Sequence, residues 1–262
     1  MSQLSPDGIE SSGQFGQGCN VRGGFIRCRS RTNKRNGLSV IDFEDVSYGY
    51  AAEPLLGGVS LSLPAGSFHF LTGPSGAGKS TFLKLCYGDL AAQAGRVTLF
   101  GQDIQSLSRD ALAEARRRIG VVHQDCQFLD HLPLAANVAL PLVVSGRGAE
   151  TGHLPELLAW VGLSHVADAL PPSLSGGERQ RAALARAVIM SPDVILADEP
   201  TGNVDWDMSQ RLLTLLVELN RMGKTVLVAS HDLNLIRAAK AQVAVRVLRI
   251  RDRQVQFAGA DL

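Results

Sequence analysis

Hydrophobic and polar residues alternate along two segments that follow position 38. The segments are Val40–Phe43 and Val59–Leu63, and this alternation is typical of paired strands that bury one face. Ser67–Leu71 follows as a further strand and leads straight into a glycine-rich run. Beyond that run, apolar residues recur at helical spacing at Phe82, Leu83, Leu85 and Cys86. The pattern therefore predicts a strand, a glycine-rich turn and a helix in succession.

The middle of the chain has a different pattern. Gly120–Val122 is a short apolar strand that comes just before Gln124. Between about residues 128 and 185 the apolar residues fall into helical segments interrupted by prolines, and no long apolar strand appears there. We expect this stretch to form a helical subdomain that projects from an α/β core.

Two continuous apolar runs, Val194–Ala197 and Thr225–Ala229, have the length expected of central parallel strands. A helical pattern over Trp206–Met222 joins them. A strand, a helix and a strand in this order give a right-handed crossover in a doubly wound sheet. Val243–Phe257 predicts two edge strands around Asp252-Arg253.

The bulk composition is that of an ordinary globular protein. The 262 residues are 45% hydrophobic and 19% charged, with a net charge of +1, so the total charge indicates neither a nucleic-acid partner nor an acidic one. No apolar run reaches the roughly 18 residues of a membrane span, and the N-terminus lacks an apolar signal core. The four cysteines show no C-x-x-C spacing, which argues against a zinc site or a redox motif. We expect a cytosolic protein with free thiols.

The first 38 residues form a separate segment in sequence terms. They are rich in Gly, Ser, Asn and Arg and carry a local charge of +4, which leaves −3 for the remainder. We expect a disordered basic tail, or a start codon assigned too early, followed by one domain over residues 39–262. Weak, salt-sensitive contact of this tail with anionic lipid or nucleic acid is the alternative. Cys19 and Cys28 lie in it.

Residues Gly73–Ser80 match the phosphate-binding pattern GxxxxGK[ST] at every fixed position. Glycines at 73, 76 and 78 let successive backbone N–H groups turn toward a phosphate, Lys79 supplies a positive charge, and the Ser80 hydroxyl is a ligand for Mg²⁺. The predicted nucleotide-binding residues of this loop are Gly73, Pro74, Ser75, Gly76, Ala77, Gly78, Lys79, Ser80 and Thr81. The predicted ligands are therefore ATP and Mg²⁺.

Polar residues end the neighbouring apolar strands. Asp198 and Glu199 close a buried strand, where carboxylates are costly unless a positive charge lies at its tip. We expect Asp198 to hold Mg²⁺ through a water molecule and Glu199 to act as general base, with a solvated strand end as the alternative. Parallel strands end on one edge of a sheet, so His231 should lie near Glu199. Gln124 at another strand end would sense the γ-phosphate or Mg²⁺.

A second glycine-rich turn opens a helix at Leu174–Glu178, and backbone N–H groups at such a helix start also bind anions. Its candidate phosphate-binding residues are Ser175, Gly176, Gly177 and Glu178. Gly73–Ser80 and Ser175–Glu178 are thus two predicted phosphate-binding cradles, here called the first and the second cradle. One nucleotide needs only one of them. We therefore expect ATP to lie between two copies of the chain.

Taken together, these motifs resemble the ordered set of the ATPase subunits of ABC transporters over roughly residues 39–250. They are Gly73–Ser80, Gln124, Leu174–Glu178, Asp198-Glu199, Asn203-Val204-Asp205 and His231. The resemblance implies an α/β fold with a P-loop NTPase core, a mostly parallel sheet, an antiparallel β subdomain at its edge and the helical insertion. It also implies a head-to-tail homodimer with Asn203-Val204-Asp205 at the interface. Tyr50 would stack on adenine, with Tyr48 as the alternative.

Within this family, several stretches most resemble the bacterial cell-division (FtsE) type. Gln124-Asp125 and Leu129–Leu132 favour it, whereas Pro200–Asn203 is shared with lipoprotein-release and macrolide-efflux ATPases. The resemblance implies an integral membrane partner similar to FtsX, attachment through it to the cytoplasmic face of the inner membrane, and control of septal cell-wall hydrolases. It implies no specific nucleic-acid partner. The alternatives are another transporter ATPase, a soluble ABC ATPase acting on nucleic acid, and a scaffold that hydrolyses little ATP.

Overall fold

The computed structural model describes residues 20–21, 26–27, 39–50, 53–202 and 204–258. In the N-terminal unit, Met1–Asn36, the described residues form strands β1 (Asn20–Val21) and β2 (Ile26–Arg27), which pair antiparallel. This short hairpin falls inside the segment that we expect to be disordered. The rest of that segment, with both of its cysteines, lies outside the described residues.

The second unit, Gly37–Leu262, contains the strands and helices that the sequence pattern predicts, with some additions. Its strands are β3 (Ser39–Tyr48), β4 (Leu56–Pro64), β5 (Phe68–Thr72), β6 (Ala94–Leu99), β7 (Gln102–Asp103), β8 (Ile119–Val122), β9 (Val194–Asp198), β10 (Thr225–Ala229), β11 (Val245–Arg251) and β12 (Gln254–Phe257). Its α-helices are α1 (Lys79–Cys86), α2 (Arg109–Arg116), α3 (Leu134–Val144), α4 (Leu154–Trp160), α5 (Gly176–Val188), α6 (Trp206–Arg221) and α7 (Leu233–Lys240). Short 3₁₀ turns lie at Ile104–Ser106, Gly148–His153, Ser164–Val166 and Pro171–Ser173.

Six strands form the central sheet in the order β12-β11-β5-β10-β9-β8. The pairs from β8 to β11 are parallel, and β12 pairs antiparallel with β11. The prediction of two edge strands over Val243–Phe257 is wrong for the first of them, since β11 lies between β5 and β12. The physical reason is that Val247 and Leu248 are buried in different clusters of the core, so both faces of β11 are covered.

A second, antiparallel sheet has the order β4-β3-β6-β7. The pairing of β3 with β4, for example Phe43 with Leu61, confirms the predicted strand pair. The strand β6 and the helix α2 were not predicted. Their apolar signal is weak, because only Val97 and Leu99 of β6 and Ala115 of α2 are buried.

Successive side chains of β5 point to opposite faces of the central sheet and so enter two separate cores. Phe68 and Phe70 pack into one cluster with α5, α6 and α7, whereas Leu71 packs into the other with α1 and the antiparallel sheet. Burial on both faces explains why β9 and β10 are continuous apolar runs.

Helices α3 to α5 make up most of residues 128–185, as predicted. Two of the prolines lie at helix starts: Pro133 is the residue before α3, and Pro155 lies in the first turn of α4. These two positions leave no helical hydrogen bond unmade. Pro141, in contrast, lies inside α3 and removes one donor from that helix. Among the described residues, none of the helices has the length and apolar character needed to cross a membrane.

Candidate nucleotide-binding site

The carboxyl ends of β5, β8, β9 and β10 open into a cleft of about 570 Å³. This is the edge at which parallel α/β sheets bind ligands. The predicted residues that line the cleft are Gly73, Pro74, Ser75, Gly76, Gly78, Lys79, Ser80, Thr81, Gln124, Asp198, Glu199 and His231. Leu55 and Gly202 line it as well and were not predicted. The structure thus brings four separate sequence motifs into one site.

The loop before α1 has the backbone shape of an anion cradle. Gly76 and Gly78 have φ values of 77° and 102°, which glycine adopts readily and other residues rarely do. Gly78 precedes the first helical residue, Lys79, and no side chain caps that helix start. The first N–H groups of α1 are therefore available to a phosphate. Ala77 differs from its neighbours in that its side chain packs toward the core beside α1.

Lys79 lies inside the cleft and is almost fully buried. Its Nζ donates to the carbonyl oxygens of Gly73 and Pro74 at 3.1 and 3.3 Å. The same atom is 3.4 Å from Oε1 of Glu199, and both side chains are about one-tenth exposed. The ammonium group is therefore held between the loop that would bind phosphate and the predicted general base.

Glu199 has a left-handed backbone, with φ of 45°. Two hydrogen bonds hold it there: its N–H donates to the Ala229 carbonyl at 2.9 Å, and its own carbonyl accepts from the Gly202 N–H at 3.1 Å. Its carboxylate lies 3.1 Å from Nδ1 of His231 through both oxygens. The expected proximity of the two side chains is present, and their roles remain predictions.

Asp198 presents an oxygen atom that has no protein partner. Burial, together with the nearby Glu199 charge, raises the pKa of its carboxyl, while a hydrogen bond from Ser80 acts in the opposite direction. Within the described part of the chain, Oδ1 of Asp198 is buried and makes no hydrogen bond. An orphaned carboxylate oxygen beside a serine hydroxyl is a donor set that suits Mg²⁺. No cluster of three or more His, Cys, Asp or Glu suited to a metal occurs among the described residues.

The helix start predicted at the second cradle is present, but it does not line this cleft. Ser175 precedes α5, and its hydroxyl accepts from the Glu178 N–H at 3.3 Å while Oε2 of Glu178 accepts from the Ser175 N–H at 2.8 Å. This reciprocal capping box fixes the start of α5. Gly177 packs against Met208 near the start of α6, where a Cβ at position 177 would lie 2.7 Å from the Met208 terminal methyl group.

The predicted interface segment 203–205 is described in part. Asp205 precedes α6 and accepts from the Met208 N–H at 2.8 Å, whereas Asn203 lies outside the described residues. Met208 contacts both Asp205 and Gly177, so the start of α6 and the second cradle lie side by side. Neither Asp205 nor Ser175–Glu178 lines the cleft.

The predicted adenine contact lies beside the loop without lining the cleft. Tyr50 is 66% exposed, and its hydroxyl is 3.3 Å from Oγ1 of Thr81. The alternative, Tyr48, is half-buried and packs edge-on against Tyr50 with ring centroids 5.2 Å apart. Of the two rings, Tyr50 is the one with a free face. Leu55, which packs against Gly78, gave no sequence signal because it reads as part of the following strand.

The sequence pattern of the family described as ABC transporter matches residues 56–202. The chain is 46% identical over 201 residues to the cell division ATP-binding protein FtsE of Haemophilus influenzae, which covers 75% of this chain and 92% of that protein. It is 41% identical over 212 residues to the methionine import ATP-binding protein MetN 2 of Rhodopseudomonas palustris, which covers 79% of this chain and 56% of that protein.

A solved structure shares the fold. It is a dimeric structure of a post-hydrolysis state of the ATP-binding cassette MJ0796 bound to ADP and Pi. The match has a TM-score of 0.74 at 34% sequence identity and covers 82% of this chain and 96% of that chain.

Proposed function

Because the chain belongs to the ABC transporter family, we propose that it binds and hydrolyses ATP with Mg²⁺, as the ATP-binding subunit of a cell-division complex in the membrane. The observation that carries the proposal is the cleft itself. It joins the phosphate loop at Lys79, the carboxylates Asp198 and Glu199, and the imidazole of His231.

In the proposed reaction, Lys79 releases its carbonyl partners and binds the β- and γ-phosphate oxygens. Ser80 and Asp198 hold the Mg²⁺ ion, with Gln124 beside them, and the ion when bound neutralises charge on the phosphates. A carboxylate oxygen of Glu199 accepts the proton of the attacking water. His231 orients Glu199 through the contacts of its Nδ1.

The second cradle completes the site from another copy. The N–H groups of Gly176 and Gly177 of the second copy, which the capping box leaves free, supply donors to the γ-phosphate that the cleft of a single chain lacks. ATP then favours the closed homodimer through the difference between its affinities for the closed and the open form. The dimeric state of the related cassette supports this arrangement.

The membrane partner is an integral protein similar to FtsX, and it attaches the chain to the cytoplasmic face of the inner membrane. The chain contacts it through residues 128–144, where Leu129 is 41% and Val144 78% exposed. The share of each relative's length that the match covers favours the cell-division role over import. The match spans 92% of the cell-division relative and 56% of the longer import protein. Single cysteines at Leu129 or Leu132 should crosslink to the partner, and failure of both to do so would contradict this contact.

Replacement of Glu199 by Gln tests the reaction. We expect phosphate release to fall by about 10²–10⁴-fold, because the base is removed while the shape of the side chain is kept. Binding of a fluorescent ATP analogue should persist, and the variant should elute as a dimer with ATP. Glu114→Gln, in an exposed ion pair with Arg117, is the matched control. Turnover at the wild-type rate in Glu199→Gln would refute the proposal.

A further inference from the structure

Gln93 holds the backbone of Gly49, the residue just before Tyr50. The side-chain amide of Gln93 makes two hydrogen bonds to it: Nε2 donates to the Gly49 carbonyl at 2.8 Å, and Oε1 accepts from the Gly49 N–H at 2.9 Å. The Gln93 N–H also donates to the Ser47 carbonyl at 2.9 Å. Because Gly49 follows β3 and Gln93 precedes β6, these bonds continue the pairing of the two strands beyond their ends.

Residues 53–55 lie close against Gly49 from the other direction. A Cβ at Gly49 would be 2.7 Å from the Glu53 carbonyl oxygen and 2.9 Å from the Pro54 Cα, so only glycine allows this approach. The Leu55 N–H donates to the Tyr48 carbonyl at 2.8 Å. Gly49 is buried as a result. The backbone that leads into Tyr50 is thus held from two sides.

A second side chain, Arg253, also reaches this part of the chain. It lies in the turn between β11 and β12, where its carbonyl accepts from the Gly57 N–H at 2.8 Å and its guanidinium pairs with the Glu53 carboxylate. Both side chains of this ion pair are more than half exposed, so the pair contributes little to the position of the backbone. The two amide hydrogen bonds of Gln93, made to a buried backbone, contribute more.

Tyr50 offers the free aromatic face nearest the cleft. No Phe, Tyr or Trp is among the described residues that line the cleft. Tyr50 lies beside it, 66% exposed, with its hydroxyl 3.3 Å from Oγ1 of Thr81. A ring stabilises a bound base by stacking only when its face is turned toward that base. The orientation of this ring depends on the backbone at Gly49.

We propose that Gln93 is a positioning residue for the base of the nucleotide: it fixes Gly49 so that the ring of Tyr50 faces the base. The inference rests on the proposed function, since it needs a nucleotide in the cleft. Gln93 does not line the cleft, so its loss leaves the groups that bind phosphate in place. It acts on the affinity for the base and not on the affinity for the phosphates.

The test compares ADP, which carries the base, with inorganic pyrophosphate, which carries the phosphates alone. Both lack the γ-phosphate, so neither ATP hydrolysis nor the donors of a second copy affect the result. Isothermal titration calorimetry with Mg²⁺ measures both affinities for the full-length wild type, Gln93→Ala, Gln93→Glu and Gln242→Ala. Gln242 is the matched control because its amide also donates to a backbone carbonyl, that of Ala238 at 3.2 Å.

We expect Gln93→Ala to weaken ADP binding about 3–10-fold, the effect of losing part of a stacking contact. Its affinity for pyrophosphate should change less than about twofold. Gln93→Glu removes the donor and places a carboxylate beside the Gly49 carbonyl, so it should weaken ADP binding at least as much. Gln242→Ala should match the wild type for both ligands.

A double-mutant cycle with Tyr50→Ala separates positioning from a general loss of structure. If Gln93 acts through the ring, Gln93→Ala has no further effect on ADP affinity once Tyr50 is alanine. Additive effects of the two changes overturn the inference, as do equal losses for ADP and pyrophosphate, or wild-type ADP affinity in either Gln93→Ala or Tyr50→Ala. If the wild type and Gln242→Ala bind no nucleotide, the proposed function fails; if they bind ADP and the Gln93 variants bind it equally well, only the positioning role fails.

Discussion

The Nδ1 atom of His231 lies 3.1 Å from both carboxylate oxygens of Glu199, although 32 positions separate the two residues. The sheet explains the contact: β9 and β10 are parallel neighbours, with Asp198 opposite Ala229. The Glu199 N–H then donates to the Ala229 carbonyl, which brings the carboxylate over the end of β10. The Glu199 carboxylate is thus oriented by its backbone and by the imidazole together.

Replacement of His231 by Ala should lower kcat about 10–100-fold and leave ATP affinity nearly unchanged, because the imidazole positions Glu199 and is absent from the phosphate loop. Steady-state phosphate release and binding of a fluorescent ATP analogue give the two quantities. His153→Ala, which removes an exposed histidine paired with Glu156, is the control. A matching rise in the dissociation constant of the analogue would show that His231 serves binding instead of orientation.

Replacement of Lys79 by Ala should act on binding first. Without nucleotide, Nζ is held by two carbonyl oxygens and by Glu199, so its position in the cleft does not depend on a ligand. Loss of a charge-assisted contact to phosphate should weaken ATP affinity by about 10²-fold. Titration with a fluorescent ATP analogue measures this change, with Lys84→Ala, at the other end of α1, as the control. Unchanged affinity in Lys79→Ala would remove this lysine from the phosphate site.

Much of the site could be predicted because its residues stand at fixed positions relative to strongly apolar strands. Val194–Ala197 and Thr225–Ala229 are buried on both faces, so their ends, and the polar residues there, are easily recognised. Elements with one weakly apolar face were missed, as β6 and α2 show. The position of β11 inside the sheet depends on partners on both faces, and its arginines obscure that burial in the sequence.

Contacts between distant elements left no periodic signal. The support of Gly177 by Met208 and of residues 127–128 by Arg186 depends on which helix faces which loop, a choice that tertiary packing makes. Leu55 reaches the cleft only because β4 begins beside Gly78. The contacts of such residues can be inferred only when the arrangement of the strands and helices is known.

Asp198 should make stability depend on pH in a defined direction. Burial raises its pKa above the ordinary value of 3.8, so the folded carboxyl holds its proton to a higher pH than the unfolded one. Between the two pKa values unfolding releases a proton, and the free energy of unfolding falls as the pH rises. Without nucleotide or Mg²⁺, Asp198→Asn should therefore unfold at a higher temperature than the wild type at pH 7. The gap should close as the pH falls toward 4.

Thermal unfolding at a series of pH values checks this prediction for Asp198. Asp168→Asn, an exposed carboxylate on the helical subdomain, is the control for a change of net charge. Asp198→Asn should also lose ATP hydrolysis, because the buried oxygen that suits Mg²⁺ is replaced. A lower melting temperature in Asp198→Asn at pH 7 would mean that burial does not disfavour the carboxylate here.

The contact between Gly177 and Met208 links the second cradle to the start of α6 and predicts a coupling that a double-mutant cycle can measure. A Cβ at position 177 would meet the Met208 side chain at 2.7 Å (Cε), 3.1 Å (Cγ) and 3.2 Å (Sδ), and Arg181 donates to the same sulfur at 2.8 Å. Gly177→Ala should therefore displace Met208, despite the gain of about 0.5–1 kcal/mol that alanine brings within a helix. A Met208→Ala background lacks these three atoms, so there the same change should stabilise the protein. Urea unfolding of the four proteins should give a coupling energy of about 1 kcal/mol, and equal effects of Gly177→Ala in both backgrounds would show that the two residues are independent.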